Sequence, residues 1–394
     1  MAFRGTDNND KNIKSGILEN NNLKDYSFKS DYQFDVFKNN QFGFGTFATY
    51  NDIHYSYSRN DTSTFLNRQN YGLIAGGYLQ DNFKLFKTKL VLIPGSRFTF
   101  YDITGKLYAE PRFSLNYNLT EKLKVKAATG IYYQFVNRVI REDIMSGSRD
   151  FWILSDGNKI PVGKAIHYIV GTDYDLNNYL FSIEAYYKDL KGLTEYSIRF
   201  KPDIGTNSDY SENFFNGTGI AKGIEFLIQK KAGKINGWIC YTLGQALDNF
   251  SVYSSKSFPA AQDVTHEFKL VSMYKWKRFD FAVTWIYATG RPYTAPEGGY
   301  QLTLLDGTTS DNITVGVKNG LRLPDYHRLD FSVNFNILDS KAKDIGYIGF
   351  SVFNVYNRKN VWYKEYKIVE GNVIETNINY LGFTPNITLS LKLR

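Results

Sequence analysis

The chain has 394 residues, 17% of them aromatic, with 31 Tyr, 30 Phe and 32 Gly against only 9 Pro. Its single cysteine excludes an internal disulfide framework, and no run of about 18 apolar residues offers a membrane-spanning helix. The net charge of +8 brings no basic helix and no aromatic RNA-binding motif, so nucleic acid is not an expected partner.

Residues 1–23 read as a polar lead-in. They lack the charged and apolar regions of a secretory signal, and the run Asp7–Asp10 reads as a solvated polar stretch. From Asp25 to Val36 the pattern changes. The even positions Tyr26, Phe28, Tyr32, Phe34 and Val36 are apolar, Ser30 alone excepted, and the odd positions are polar. A helix would scatter those rings around its circumference, whereas a strand gathers them on one face. The alternation recurs where Leu123, Val125, Ala127 and Ile131 alternate with lysines, and again from Leu329 to Ile337 against Arg328, Asp330, Ser332, Asn334 and Asn336. It ends the chain with Ile387, Leu389, Leu391 and Leu393.

About fifteen such segments follow one another, each as long as the ~9–11 residues of a tilted spanning strand or slightly longer. Their spans are 24–37, 41–57, 70–86, 88–102, 107–118, 122–135, 165–175 and 178–190, then 218–231, 234–246, 262–275, 278–290, 325–338, 343–357 and 382–394. Cys240 falls within one of them and reads as a small hydrophobe. The mean hydropathy of -0.37 is compatible with a membrane protein of this kind, because only alternate residues of a barrel strand face lipid.

The connections alternate in length. Short polar turns at 38–40, 86–88, 118–122, 175–178, 231–234, 275–278 and 338–344 interleave with long links at 58–69, 136–164, 191–217, 247–261, 291–324 and 358–381; the link at 103–106 is the one short exception. Loop length segregated by end is the mark of a bacterial outer-membrane barrel. The fold expected is therefore all-β, an antiparallel transmembrane β-barrel with its binding loops at one rim. The four His, His54, His167, His266 and His327, lack metal-ligand spacing, and no nucleophile elbow or dinucleotide loop has the right context. Neither a metal, a cofactor nor catalysis is expected.

Several strings, in order, resemble TonB-dependent outer-membrane receptors, particularly of the Bacteroidetes-like type. They are Tyr78-Leu79-Gln80-Asp81 with Gly95 and Arg97; Glu110-Pro111-Arg112 leading to Lys126-Ala127-Ala128-Thr129-Gly130; and Gly171 with Glu184-Ala185-Tyr186-Tyr187-Lys188. Ala221-Lys222-Gly223-Ile224-Glu225, Thr289-Gly290-Arg291-Pro292, Tyr326-His327-Arg328-Leu329-Asp330 and Phe353-Asn354-Val355 continue the series. The resemblance covers residues 24–394 and implies a barrel of about 22 strands around a plug. On that reading the chain is the C-terminal part of such a barrel, with its plug and first strands expected upstream. It implies TonB-energised uptake of a scarce nutrient, a siderophore-like chelate or an oligosaccharide, across the Gram-negative outer membrane. Membrane lipid, the TonB complex acting through the plug, and the ligand are the partners implied.

The loop 136–164 is the first candidate for ligand capture, with Arg138, Arg141, Asp143, Arg149, Asp150, Phe151 and Trp152, because rigid aromatics and arginine carry most binding energy. Arg291 and Tyr293 form a second candidate. Arg97, Arg328 and Asp330 fall opposite the apolar side of their strands and are expected to face the lumen, since an arginine on the lipid face costs ~2–4 kcal/mol near the midplane. A passive porin and, more distantly, an outer-membrane enzyme are the alternatives.

Overall fold

The computed structural model describes residues 2–4, 17–37, 39–59, 63–141, 144, 149–197, 213–305, 307–338, 344–369 and 371–392, and every regular element among them is a strand. Nineteen strands join in one sheet. Four are short additions (Ala2–Arg4, Val136–Arg141, Arg149–Leu154 and Phe258–Pro259). The other fifteen form the frame. They are β1 (Ile17–Phe37), β2 (Asn40–Arg59), β3 (Ser63–Leu85), β4 (Leu90–Tyr101), β5 (Lys106–Asn118), β6 (Leu123–Gln134), β7 (Gly163–Leu176) and β8 (Tyr179–Tyr196), then β9 (Phe214–Lys230), β10 (Ile235–Asn249), β11 (His266–Trp276), β12 (Phe279–Ala288), β13 (Tyr326–Leu338), β14 (Asp344–Phe353) and β15 (Thr384–Leu391). Each pairs antiparallel with the next in sequence, so the frame is one unbroken meander. Among the described residues no ladder joins β15 to β1.

Register assigns the two faces. Arg97 stands opposite Glu110, Gly130 opposite both Arg112 and His167, and Gly171 opposite Glu184. The same face continues through Glu184–Glu225, Glu225–Thr242, Thr242–Glu267 and Thr284–Asp330. Because side chains alternate at period 2, these pairs make one continuous polar wall. Lys126 bridges Asp173 at 3.2 Å and Glu184 at 3.1 Å along it. The opposite face carries Phe98, Phe113, Tyr168, Ile183, Ile224, Leu243, Phe350 and Ile387, all exposed. In water so large an apolar surface would drive association. Against hydrocarbon it costs nothing, and the strands satisfy their own backbone hydrogen bonds, as a membrane requires.

The short turns gather at one end. Phe86, Lys87, Thr88, Asn177 and Lys277 take positive φ of 52°, 55°, 71°, 53° and 53°, as such tight links demand. The long links gather at the other end, the outer one. Here the strands exceed expectation. β1, β2 and β3 have 21, 20 and 23 residues, roughly twice the ~9–11 that span a bilayer. The expected loop 58–69 is therefore mostly strand, and only 60–62, outside the described residues, is left to link β2 and β3. The expected lead-in also contains strand, since β1 begins at Ile17 and Ala2 pairs with Asn20. With their inner ends fixed by turns, the surplus strand length stands above the membrane.

The long links are themselves built. Val136–Arg141 and Arg149–Leu154 pair as one hairpin, Pro296–Thr303 and Thr309–Val315 as a second, and Val361–Val369 and Asn372–Asn379 as a third.

Candidate functional site

The first of these hairpins folds inward over the concave face. Phe151, only 1% exposed, lies in a buried cluster with Tyr55 of β2, Val139, Ile153, Ile160, Tyr196 of β8 and Phe214 of β9. Its ring centroid is 4.6 Å from that of Tyr55 and 5.8 Å from that of Tyr196. Thus β2 and β8, six strands apart in the sheet, meet through one phenylalanine. The following segment is tied down too. The Tyr101 hydroxyl donates to the Ser155 carbonyl at 2.8 Å, and Asn137 Nδ2 donates to Ser155 Oγ at 2.9 Å.

Beneath it the polar wall holds a cavity of about 360 Å³. Glu110, 4% exposed, is its centre. Its carboxylate accepts from Arg112 Nη2 at 2.8 Å and from the Tyr133 backbone N–H at 2.8 Å, with Arg97 Nε 3.6 Å away. The Arg97 guanidinium lies 3.7 Å over the Phe47 ring, and that of Arg112 lies 4.5 Å over Tyr132. Thr99 Oγ1 and Asn51 Oδ1, both buried in the lining, have no hydrogen-bond partner among the described residues. These groups line the chamber, one acid set between two arginines.

At the outer rim a different charge cluster joins the links. Past Gly192 (φ 69°) the β8–β9 register shifts by one residue, which turns Glu195 to the face that Glu184 occupies lower down. Glu195 meets Lys318 at 2.9 Å, with Lys318 only 8% exposed and 4.6 Å from the Tyr253 ring. Asp248, near the outer end of β10, points at the same pair. Burial, and then the Glu195 charge, push its carboxyl up to about 7 against the opposing pull of Lys318. On the third hairpin, burial works against the charge of Lys364, but hydrogen bonds to Glu375 and Tyr293 outweigh it and raise the amine.

The residues singled out from sequence are dispersed. Arg138 and Asp150 form an exposed ion pair across the first hairpin. Trp152 lines a narrow crevice with Ile53, Tyr55, Arg68 and Asn70. Phe151 is packed inside and offers no surface. Arg141 and Arg149 face each other in the hairpin ladder, and Asp143 lies outside the described residues. Arg291 is exposed at the rim, and Tyr293 lies beneath the Lys364 amine at 5.3 Å. Arg97 belongs to the chamber. Arg328 binds Asp330 at 2.9 Å and the Tyr326 hydroxyl at 2.9 Å, while Asp330 accepts from the Asn354 N–H at 2.9 Å, which anchors the turn after β14. Glu110, Glu195, Asp248 and Lys318 were not anticipated as site residues. Among the described residues no group of three His, Cys, Asp or Glu could hold a metal.

Residues 2–357 match the family described as "TonB dependent receptor-like, beta-barrel". No curated protein matches the sequence. Among solved structures, the ferric yersiniabactin uptake receptor FyuA of Yersinia pestis superposes with a TM-score of 0.63 at 13% identity, over 95% of this chain and 55% of that one. The outer membrane transporter YddB of Escherichia coli gives 0.61 at 12% identity, over 96% and 55%. The ferric enterobactin receptor PfeA of Pseudomonas aeruginosa gives 0.58 at 12%, over 87% and 49%. The chain thus spans about half the length of these structures, and identities this low speak to the fold alone. With the polar wall, the lipid-facing apolar surface and the segregated loops in place, the match over 2–357 shows that the chain belongs to the TonB-dependent receptor β-barrel family, outer-membrane proteins of Gram-negative bacteria.

Proposed function

We propose that the protein takes up a scarce nutrient across the outer membrane, with energy delivered through the TonB complex to a plug seated against the polar wall. The observation that carries this reading is the inward-folded hairpin of Val136–Arg141 and Arg149–Leu154, which lies over a charged chamber. A receptor needs a surface that meets cargo before the lumen does, and this hairpin offers one. Arg138, Asp150 and Trp152 on this hairpin, joined by Arg291 and Tyr293 at the rim, are the proposed contacts. Arg97 with Glu110 and Arg112 would face the plug or the passing ligand. FyuA and PfeA take ferric chelates, so a ferric siderophore is the first cargo to test and an oligosaccharide the second.

The test is uptake of labelled ferric chelates and of labelled oligosaccharides by cells carrying or lacking the gene, with and without an inner-membrane proton gradient. Uptake of one class that needs both the gene and the gradient is expected. Uptake that survives collapse of the gradient would identify a passive channel instead. Arg138→Ala with Trp152→Ala should weaken apparent affinity roughly 10-fold, about 1–2 kcal/mol, at unchanged expression.

A further inference from the structure

The outer end of the β8–β9 pair stands apart from the rest of the sheet. β7 leaves β8 at Lys191, where Lys164 is its last partner, and β10 leaves β9 at Thr218, opposite Asn249. Beyond those points Leu193–Tyr196 and Phe214–Gly217 continue as a two-stranded ribbon. Among the described residues its one further ladder contact sets Tyr196 beside Arg141 of the first hairpin. A ribbon of two strands is marginal in water, yet Glu195, Tyr196, Ser197, Asn213 and Phe214 are all buried, at 9% exposure or less.

A different link covers each face of this ribbon. Side chains alternate along a strand, so Glu195 and Tyr196 leave on opposite sides. On the Tyr196 side the Phe214 ring lies 5.2 Å away, and Phe151 of the first hairpin meets the two at 5.8 Å and 6.3 Å. On the Glu195 side the β12–β13 link reaches back to bring Lys318 to the carboxylate. Gly217 and Gly219 make room there: a Cβ would fall 2.7 Å from the Phe250 ring at the first and 2.8 Å from the Asp248 carboxyl at the second. The link is fastened independently by Asn319, whose Nδ2 donates to the Pro259 carbonyl at 2.8 Å, and by Arg322, which pairs with Asp263. A one-residue slip exchanges the faces of a strand, so the register shift past Gly192 sets both contacts at once.

We propose that this ribbon couples the two outer links: the first hairpin and the 316–323 segment each order one face of it, and loss of either contact loosens the other link. The basis is shared order. The ribbon has too few ladder bonds to hold its shape alone, so the link that stays bound supplies the ordered surface the other needs. Such coupling acts equally in both directions. On the uptake reading, a ligand drawn to Arg138 or Trp152 would move both links together, but the coupling itself does not rest on that reading.

Hydrogen exchange of the protein in detergent micelles, read peptide by peptide, tests the coupling without any ligand. Glu195→Gln breaks the ion pair on one face. Exchange should rise about tenfold in 316–323 and, across the ribbon, about tenfold in Arg149–Leu154. Phe151→Ala strikes the other face and should raise exchange in 316–323 by a similar factor. Lys318→Gln breaks the same ion pair from the link and carries the same expectation if the Glu195 variant does not assemble. Lys364→Gln loosens the third hairpin and touches neither face, so both segments should exchange as before. Heat-dependent gel migration confirms that each variant is folded. Loosening confined to the face that was struck would overturn the proposal. An equal rise throughout β11–β14 would overturn it too, by pointing to general destabilisation.

Discussion

Charge placement at single residues decides which parts of the lumen are fixed. Glu110 is buried and bound by two arginines that remain partly exposed, so the acid sets the pair and the arginines retain water. Removing one partner of such a group leaves charge uncompensated. Glu110→Gln is expected to destabilise the barrel by about 1–2 kcal/mol, below the 3–5 kcal/mol of a fully buried pair. Adding Arg112→Gln should recover part of that loss, and the coupling is read from urea unfolding of the single and double variants. Asp248 gives a pH dependence of opposite sense to a salt-bridged carboxylate. Its folded pKa, about 7, lies above the unfolded ~3.9. The folded state holds a proton that the unfolded chain has lost, so the rim packing has its full stability below about pH 4 and loses it as pH rises to about 7. Hydrogen exchange around Lys318, corrected for its intrinsic pH dependence, should be faster at pH 8 than at pH 5, and Asp248→Asn should flatten that difference of on the order of 1–2 kcal/mol.

Among the elements, the inward hairpin is held by one ring more than by its own ladder. A two-stranded hairpin is marginal in water, and Phe→Ala at a fully buried site costs ~3–5 kcal/mol, more than such an element can lose. Phe151→Ala should release Val136–Arg141 and Arg149–Leu154, accelerating their backbone exchange about 100-fold while the strands β10–β15 stay protected. Unchanged protection would mean that the backbone pairing alone suffices. This element also shows where sequence reading stops. The spanning parts of the strands were legible because lipid on one side and water on the other imprint an alternation, as in Tyr26–Val36. Above the membrane both faces meet water or other loops, the alternation fades, and the outer ends of β2 and β3 read as the loop 58–69. The hairpin's residues stand out in the sequence as a dense group of arginine and aromatic side chains. Their split into exposed Arg138–Asp150 and buried Phe151 depends on Tyr55 and Tyr196, partners 96 and 45 positions away by residue number, which no local pattern can supply. The rim cluster was hidden for the same reason: Glu195 and Asp248 stand at the outer ends of β8 and β10, and Lys318 lies in the link between β12 and β13.

For the molecule as a whole, the polar wall and the apolar skin are two faces of a single layer, so neighbouring residues on one strand live in opposite solvents. Val283 and Thr284 of β12 make the contrast sharp. Val283 sits between Ser272 and Phe331 on the lipid side, and Thr284 between Val271 and Asp330, with Asp330 on the polar wall. An arginine introduced at position 283 enters hydrocarbon about midway through the bilayer and is expected to cost ~2–4 kcal/mol. At position 284 the same arginine finds water and the Asp330 carboxylate, and the cost should fall below about 1 kcal/mol. Helix and strand propensities are nearly equal at the two sites, so the difference isolates the solvent on each side. Unfolding of the two variants in lipid vesicles measures it directly. Equal costs would mean that the sheet does not separate lipid from water, and both the uptake reading and the chamber beneath the hairpin would lose the surface on which they stand.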